Sequence, residues 1–368
     1  HKKTIKIELI ITLIFNIMFN YTLIKCIKKF ILHSMNKNQY FYSLDLFRGF
    51  CGYGVAICHL NAFVYGNQFM EYLSIIFVEF FFVLSGFVLY PQLLKVIDNK
   101  KNLLVFYKRR WIRTLPLYFV ILILVSILTS HFFGKDFFKY LFLVQKFLPN
   151  FIYNDYYPVA WSLSIEEFFY LSFPLILIFS NKKNFLKISL FIFIFMIFIK
   201  FILVDKYDAN YYRTGTFLRF DAILFGFLIS HFRNIFIKYK SMIVFFSIFL
   251  IVIFLLGYDY FTINQINSTN RFVFILMMQI ISGLTLLSFI LLEPFLKNVR
   301  LKNLILLFSQ QTYSIYLFHI ILIYILNNMN YSIYITTPIY LFLLFLISTL
   351  VYNYFEKPLL KLRPKIIY

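Results

Sequence analysis

Apolar side chains fall in blocks of about 20 residues, separated by short polar segments, along the whole chain. Such blocks are too long for buried strands and too continuous for the one-sided stripe of a surface helix. They predict helices that are apolar all round and long enough to cross a bilayer. Ten spans can be placed, at about 44–65, 72–94, 114–130, 159–180, 188–204, 214–232, 241–256, 272–292, 304–326 and 333–354. A further apolar segment, about 5–27, is interrupted by Glu8, Asn16 and Asn20. Residues 1–34 therefore read either as an extra N-terminal helix or as sequence upstream of a start at Met35. The expected fold class is all-α, a polytopic integral membrane helix bundle of about ten core transmembrane helices.

The first span is the least uniform. SLDLFRGFCGYGVAICH, from Ser43 to His59, carries Asp45, Arg48 and His59 among apolar neighbours. Ionisable groups at membrane depth are expensive and point to function by default. Arg48 and His59 are eleven residues apart. That is about 1100° of helical rotation, so they lie within ~20° of one face and ~16 Å apart along the axis. Gly49, Gly52 and Gly54 would let another helix or a thin ligand approach the backbone. The plainer alternative is an Arg48 that reaches to the membrane surface and a His59 that is a hydrogen-bonded core residue.

Depth sorts the other buried polar residues. At 1.5 Å per residue in a core of about 30 Å, His59, Glu79, Glu166, Glu167, Arg219, Asp221 and His319 fall near one level, in the third of the membrane away from Arg48. Such groups are expected to find each other or to line a wet cavity, with interhelical salt bridges as the alternative. Arg219 and Asp221 are expected to pair. On the opposite side, KVIDNKKNLLVFYKRRWIRTLP holds Lys108, Arg109, Arg110 and Arg113 just before the third span. Part of this is ordinary topogenic charge. Arg110 and Arg113 are nevertheless one turn apart, and guanidinium forks suit phosphate oxygens. With Arg48 they make a candidate site for a phosphorylated ligand.

Composition excludes a soluble domain: of 368 residues 61% are hydrophobic, with 52 Phe and 29 Tyr. A formal charge of +21 would suggest a nucleic-acid partner in a soluble protein. Here Lys and Arg sit between apolar runs, 21 in alternate segments beginning with 35–43 and 6 in the opposite set. They report topology, with both ends of the ten-span core on the cytoplasmic side, and no nucleic-acid partner is expected. Cys26, Cys51 and Cys58 make no disulfide framework, and no metal site is expected.

The Arg48–x10–His59 pair after SLD resembles the signature of the acyltransferase 3 family of membrane acyltransferases. FFVLSGFVL is similar to the family's second-helix motif and RRWIRTLPLYF to its RxxR segment. WSLSIEEFFYLSFPL is similar to its W-S-L-x-x-E-x-x-F-Y-L block, with Glu166 in the acidic position. LRFDAILFGFLI, YSIYLFHIIL and YFEKP follow in the family's order, so the likeness covers about 41–358. Phe168 departs from it, standing where many members have Gln. On this resemblance residues 35–368 form an acyltransferase 3 transmembrane domain.

The resemblance implies transfer of an acyl group, usually acetyl, from cytoplasmic acyl-CoA to a hydroxyl of a cell-surface carbohydrate or lipid-linked glycan. His59 is then the base or a covalent acyl carrier, and Glu166 orients or stabilises its imidazole. Arg48, Arg110 and Arg113 grip the CoA phosphates, while Tyr316, His319 and Trp161 line the acceptor side, with a structural hydrogen-bonding core residue as the equal alternative for His319. No cofactor is bound, and acetyl-CoA is the donor substrate. The expected location is the bacterial cytoplasmic membrane, with the C-terminus in the cytoplasm. The alternatives are a transporter or flippase of a lipid-linked sugar without acyl chemistry, and a glycosyltransferase using lipid-linked sugars.

Overall fold

The computed structural model describes residues 40–366, apart from 179, 262–267, 297 and 328–331. The expected segment 1–34 lies outside the described residues. Among the described residues the chain is 84% helical, without strands. A helix satisfies every backbone N–H and C=O within its own segment, as a bilayer demands.

Helix α1 (Tyr42–Tyr65) turns sharply into α2 (Gln68–Asp98). Gly66, at φ 64°, ends α1 by donating its N–H to the Asn61 carbonyl, and the Asn67 side chain caps α2 by accepting from Met70 N–H at 3.1 Å. The start of α1 has no side-chain cap of its own. The Glu293 carboxylate supplies one, accepting the N–H groups of Tyr42 and Ser43 at 3.2 and 2.8 Å.

After α3 (Asn102–Leu128) the chain makes a tied connection that includes the short α4 (Lys135–Leu141). Asp136 accepts from Lys139 and from the N–H groups of Tyr153 and Asn154, each at 3.0 Å. Among the described residues the four non-glycine residues with positive φ, Ser130, Phe133, Leu143 and Asn150, all lie in this connection. Then come α5 (Trp161–Ile178), α6 (Lys182–Leu203), α7 (Ala209–Thr214), α8 (Phe220–Phe236), α9 (Lys240–Leu256) and α10 (Tyr258–Phe261). The chain continues through α11 (Ser268–Ile290), α12 (Val299–Gln310), α13 (Thr312–Asn327) and α14 (Ile333–Val351). After a π-helical turn at Tyr352–Glu356 comes α15 (Lys357–Lys361).

Helices α2 and α8 run in the same direction. Glu79 pairs with Arg219, Gly86 meets Gly226 and Tyr90 bonds His231 at 2.5 Å, at a nearly constant sequence offset. Added Cβ atoms would strike backbone carbonyls, that of Ile223 from Gly86 and that of Val83 from Gly226, so the two backbones touch here. Asp221 accepts from Lys200 at 2.6 Å and from Gln279 at 2.5 Å. The side chains of Glu79, Arg219, Lys200 and Asp221 are all at most 3% exposed. The expected Arg219–Asp221 pair is thus replaced by two others. Residues two apart at a helix start face different directions and reach different partners.

Seven helices of the described residues are long and apolar enough to cross a membrane, or eight if a bent pair counts as one span. The expected count of ten is not confirmed. Expected spans 214–232 and 241–256 fall in one helical stretch, Phe217–Leu256. Within it the chain reverses. Tyr72 OH donates to the Phe254 carbonyl at 2.8 Å, at the opposite end of α2 from the Tyr90–His231 contact. The expected span 304–326 is bent by 51° between α12 and α13. At the bend, Gln311 donates to Thr349 at 2.9 Å and accepts from Tyr53 OH at 3.3 Å. Helix α1 is not among the seven; Asp45, Arg48, His59 and Asn61 dilute its apolar character.

Candidate functional site

Helices α1 and α13 form a second parallel pair. A Cβ on Gly52 would lie 2.6 Å from Thr312 Cγ2. Seven residues, or two turns, further along both helices His59 meets His319. The small residue sets the spacing and the common direction keeps the register. His59 Nδ1 lies 2.9 Å from His319 Nε2, and the rings stack with centroids 5.1 Å apart. His319 Nδ1 lies 2.6 Å from the Tyr316 carbonyl oxygen. His319 is fully buried, and Phe63 packs 5.3 Å from the His59 ring.

Beside this pair lies a cavity of about 130 Å³ between α1, α2, α3, α5 and α13. Three expected cations, Arg48, Arg110 and Arg113, line it with Glu166, Ser162 and Tyr316. Arg48 donates to Asp45 at 2.6 Å, and Ser309 donates to the same carboxylate oxygen at 2.7 Å. That anchors the guanidinium at the end of α1. The Arg110 guanidinium sits 4.9 Å from the Tyr170 ring centre and donates to Gln92 at 3.3 Å. Its buried Nε has no protein partner. Three guanidinium groups against one lining carboxylate favour an anion, while Val78, Phe81, Phe82 and Leu163 offer an apolar wall. At the other end Tyr316 OH donates to the Val159 carbonyl at 2.8 Å and accepts from Ser162 OH at 2.6 Å. Tyr316 and His319 are one turn apart, ~4.5 Å along α13.

The site residues separate into two groups. Arg48, Arg110, Arg113, Glu166 and Tyr316 share the cavity wall, whereas His59 and His319 lie beyond the Tyr316 end, and Trp161 packs against Phe82 with its ring centre 5.7 Å away. The expected contact of Glu166 with the His59 imidazole is not formed. Glu166 accepts from Tyr170 OH at 2.9 Å, and Tyr170 OH shares a hydrogen bond with Ser85 at 2.7 Å. On its helix Glu166 faces Arg110, one level below the imidazoles. Glu167 points elsewhere, accepting from Thr114 at 2.6 Å.

Sequence reasoning missed three cations. Lys200 balances Asp221. Arg213, on α7, lies over the Trp161 ring at 5.4 Å; burial, then repulsion from Arg219, brings its pKa down to about 10. Arg363 follows α15. Burial first, and then the neighbouring Arg113, Arg109 and Arg110, brings its pKa down to about 10. The adjacent chain is held where Arg109 donates to the Pro364 carbonyl at 2.8 Å. Arg213 and Arg363 sit in short polar segments that look like ordinary loop charge, so only the fold singles them out.

The sequence model described as "Acyltransferase domain" matches residues 41–354. An uncharacterized protein of Haemophilus influenzae is 30% identical over 184 residues, covering 43% of this chain and 75% of that protein. O-acetyltransferase OatA of Staphylococcus aureus is 27% identical over 369 residues, covering 90% of this chain and 59% of that protein. This chain therefore spans a little over half the length of the latter relative. No solved structure matches this chain.

Proposed function

This chain belongs to the acyltransferase domain family, and on that premise we propose that it transfers an acyl group, acetyl by default, from cytoplasmic acyl-CoA to a carbohydrate hydroxyl on the far side of the membrane. The observation that carries the reading is the shared cavity. Arg48, Arg110 and Arg113 meet at one end, and Tyr316 stands at the other, one helical turn from the His319–His59 pair. A CoA donor has that order of parts: phosphates, an apolar-to-amide arm, then a thioester.

In this reading Arg110 and Arg113 bind phosphate oxygens, with Arg48 and Arg363 adding positive field. Glu166, through Tyr170 and Ser85, holds the Arg110 side of the cavity in place. His59 takes the proton of the acceptor hydroxyl as its oxygen attacks the thioester carbonyl. The C–O bond forms, the C–S bond breaks, and the departing thiolate receives that proton. Trp161 and Arg213 border the acceptor's approach. The Lys and Arg distribution supports a cytoplasmic donor side and a cytoplasmic C-terminus in a bacterial inner membrane.

Inverted membrane vesicles containing the full chain and given [3H]acetyl-CoA test this. Label should accumulate in carbohydrate, and His59→Ala should lower the rate at least about 100-fold. Vesicles that move no label, or a His59→Ala variant as active as wild type, overturn the reading. A flippase or a sugar transferase would also leave the glycan unlabelled.

A further inference from the structure

The two imidazoles determine which nitrogen of each ring carries a hydrogen. A carbonyl oxygen only accepts, so the 2.6 Å contact between His319 Nδ1 and the Tyr316 carbonyl requires the hydrogen on Nδ1. A neutral imidazole holds one N–H, so Nε2 of His319 is a bare acceptor. It faces His59 Nδ1 at 2.9 Å. That nitrogen must therefore donate, and a neutral His59 keeps its lone pair on Nε2.

The backbone locks this arrangement. Tyr340 is fully buried, and its OH points at two carbonyls, that of Ala56 on α1 at 3.2 Å and that of His319 on α13 at 3.5 Å. One side chain thus ties both helices beside the pair. Gly52 against Thr312 sets the same register two turns earlier.

We propose that His319 is a positioning residue that holds His59 in the tautomer whose Nε2 is the base. The inference rests on the acyl-transfer reading and deepens it. The order is Tyr316 carbonyl, His319, His59, acceptor hydroxyl. His319 does for His59 what a carboxylate does in a hydrolase triad, with a neutral ring in place of an anion. When His59 Nε2 takes the hydroxyl proton, the new imidazolium already donates its Nδ1–H to a bare acceptor. The developing charge meets a preformed hydrogen bond, and no ring has to turn. The proton then returns from Nε2 to the departing thiolate, so His319 neither gains nor loses a proton over the cycle.

The test compares His319→Leu, which removes the acceptor, with His319→Gln, whose amide can donate to the Tyr316 carbonyl and accept from His59. Both are assayed as full chains in the inverted vesicles with [3H]acetyl-CoA. The Leu variant should lose about 100-fold in kcat with an unchanged KM for acetyl-CoA, and the Gln variant should stay within about tenfold of wild type. Placed on His59→Ala, neither substitution should lower the residual rate further. A Leu variant within threefold of wild type, a Gln variant as impaired as Leu, or a loss confined to KM overturns the proposal. Where the Leu variant fails to reach the membrane, the Gln variant decides alone: a rate within about tenfold of wild type supports the proposal and a lower one overturns it. A wild-type chain that moves no label would overturn the acyl-transfer reading itself, which is a different outcome.

Discussion

The two parallel helix pairs share one device and put it to different use. At the α2–α8 crossing, glycine meets glycine, and the polar groups beyond it are closed into Glu79–Arg219 and Lys200–Asp221. At the α1–α13 crossing, glycine meets only a threonine methyl, and the polar groups beyond it are two neutral-capable rings beside a cavity. Full charges buried without water need full partners, and once partnered they are spent on holding helices together. Imidazoles can stay uncharged, keep one nitrogen in reserve and still bond to each other. Opposed charges at membrane depth therefore read as architecture here, and the imidazole pair, on the proposed function, as chemistry.

That contrast breaks first at the ion pairs. Arg219→Leu should cost about 3–5 kcal/mol by leaving Glu79 buried and alone, seen as a lower thermal midpoint in detergent. Glu79→Leu together with Arg219→Leu should recover most of it. His59→Leu should leave the midpoint near wild type while abolishing transfer. A large loss of stability from His59→Leu would place α1–α13 in the same class as α2–α8.

Next in size is the arginine end of the cavity. Arg110→Ala combined with Arg113→Ala should raise the KM for acetyl-CoA about 100-fold, from about 1.4 kcal/mol per lost phosphate contact. The acceptor dependence should stay put, and a change confined to acceptor use would move these arginines to the other substrate.

The two glycine contacts differ on a smaller scale. Gly52→Ala should lower kcat about tenfold by pushing α13 and His319 off register, and Thr312→Ala should restore it, because the obstacle is a side-chain methyl. Gly86→Ala has no such remedy, since its obstacle is the Ile223 backbone carbonyl. The smallest effect belongs to Arg363→Ala. A rise of about threefold in acetyl-CoA KM is expected at low salt, vanishing as salt screens an adjacent charge that makes no direct contact.

Much of this was legible in the chain itself. Long apolar blocks place the helices, and the eleven-residue spacing puts Arg48 and His59 on one stripe of α1. Arg48, Arg110 and Arg113 do converge on one cavity. Partner choice was not legible. Depth along the apolar run brought Glu166 near the level of His59, but in the fold it stands below the imidazoles and accepts from Tyr170, because run boundaries fix neither level nor rotation closely enough to choose a partner. The same blindness paired Arg219 with Asp221, when each reaches across to another helix. His319 reads in the sequence as an acceptor-side residue or as a hydrogen-bonded core residue, and its partner is His59, which the sequence does not show because a parallel register between segments far apart in sequence leaves no local mark. The bend at Gln311 was hidden as well, since one polar residue inside an apolar run looks like any other.

The most direct measurement is an electron cryomicroscopy map of the full chain with coenzyme A bound. The phosphates are expected within hydrogen-bonding distance of Arg110 and Arg113, the sulfur at the Tyr316 end, and an open path from that sulfur to His59 Nε2. Coenzyme A bound elsewhere, or seated in this cavity with His59 walled off from its sulfur, would contradict it.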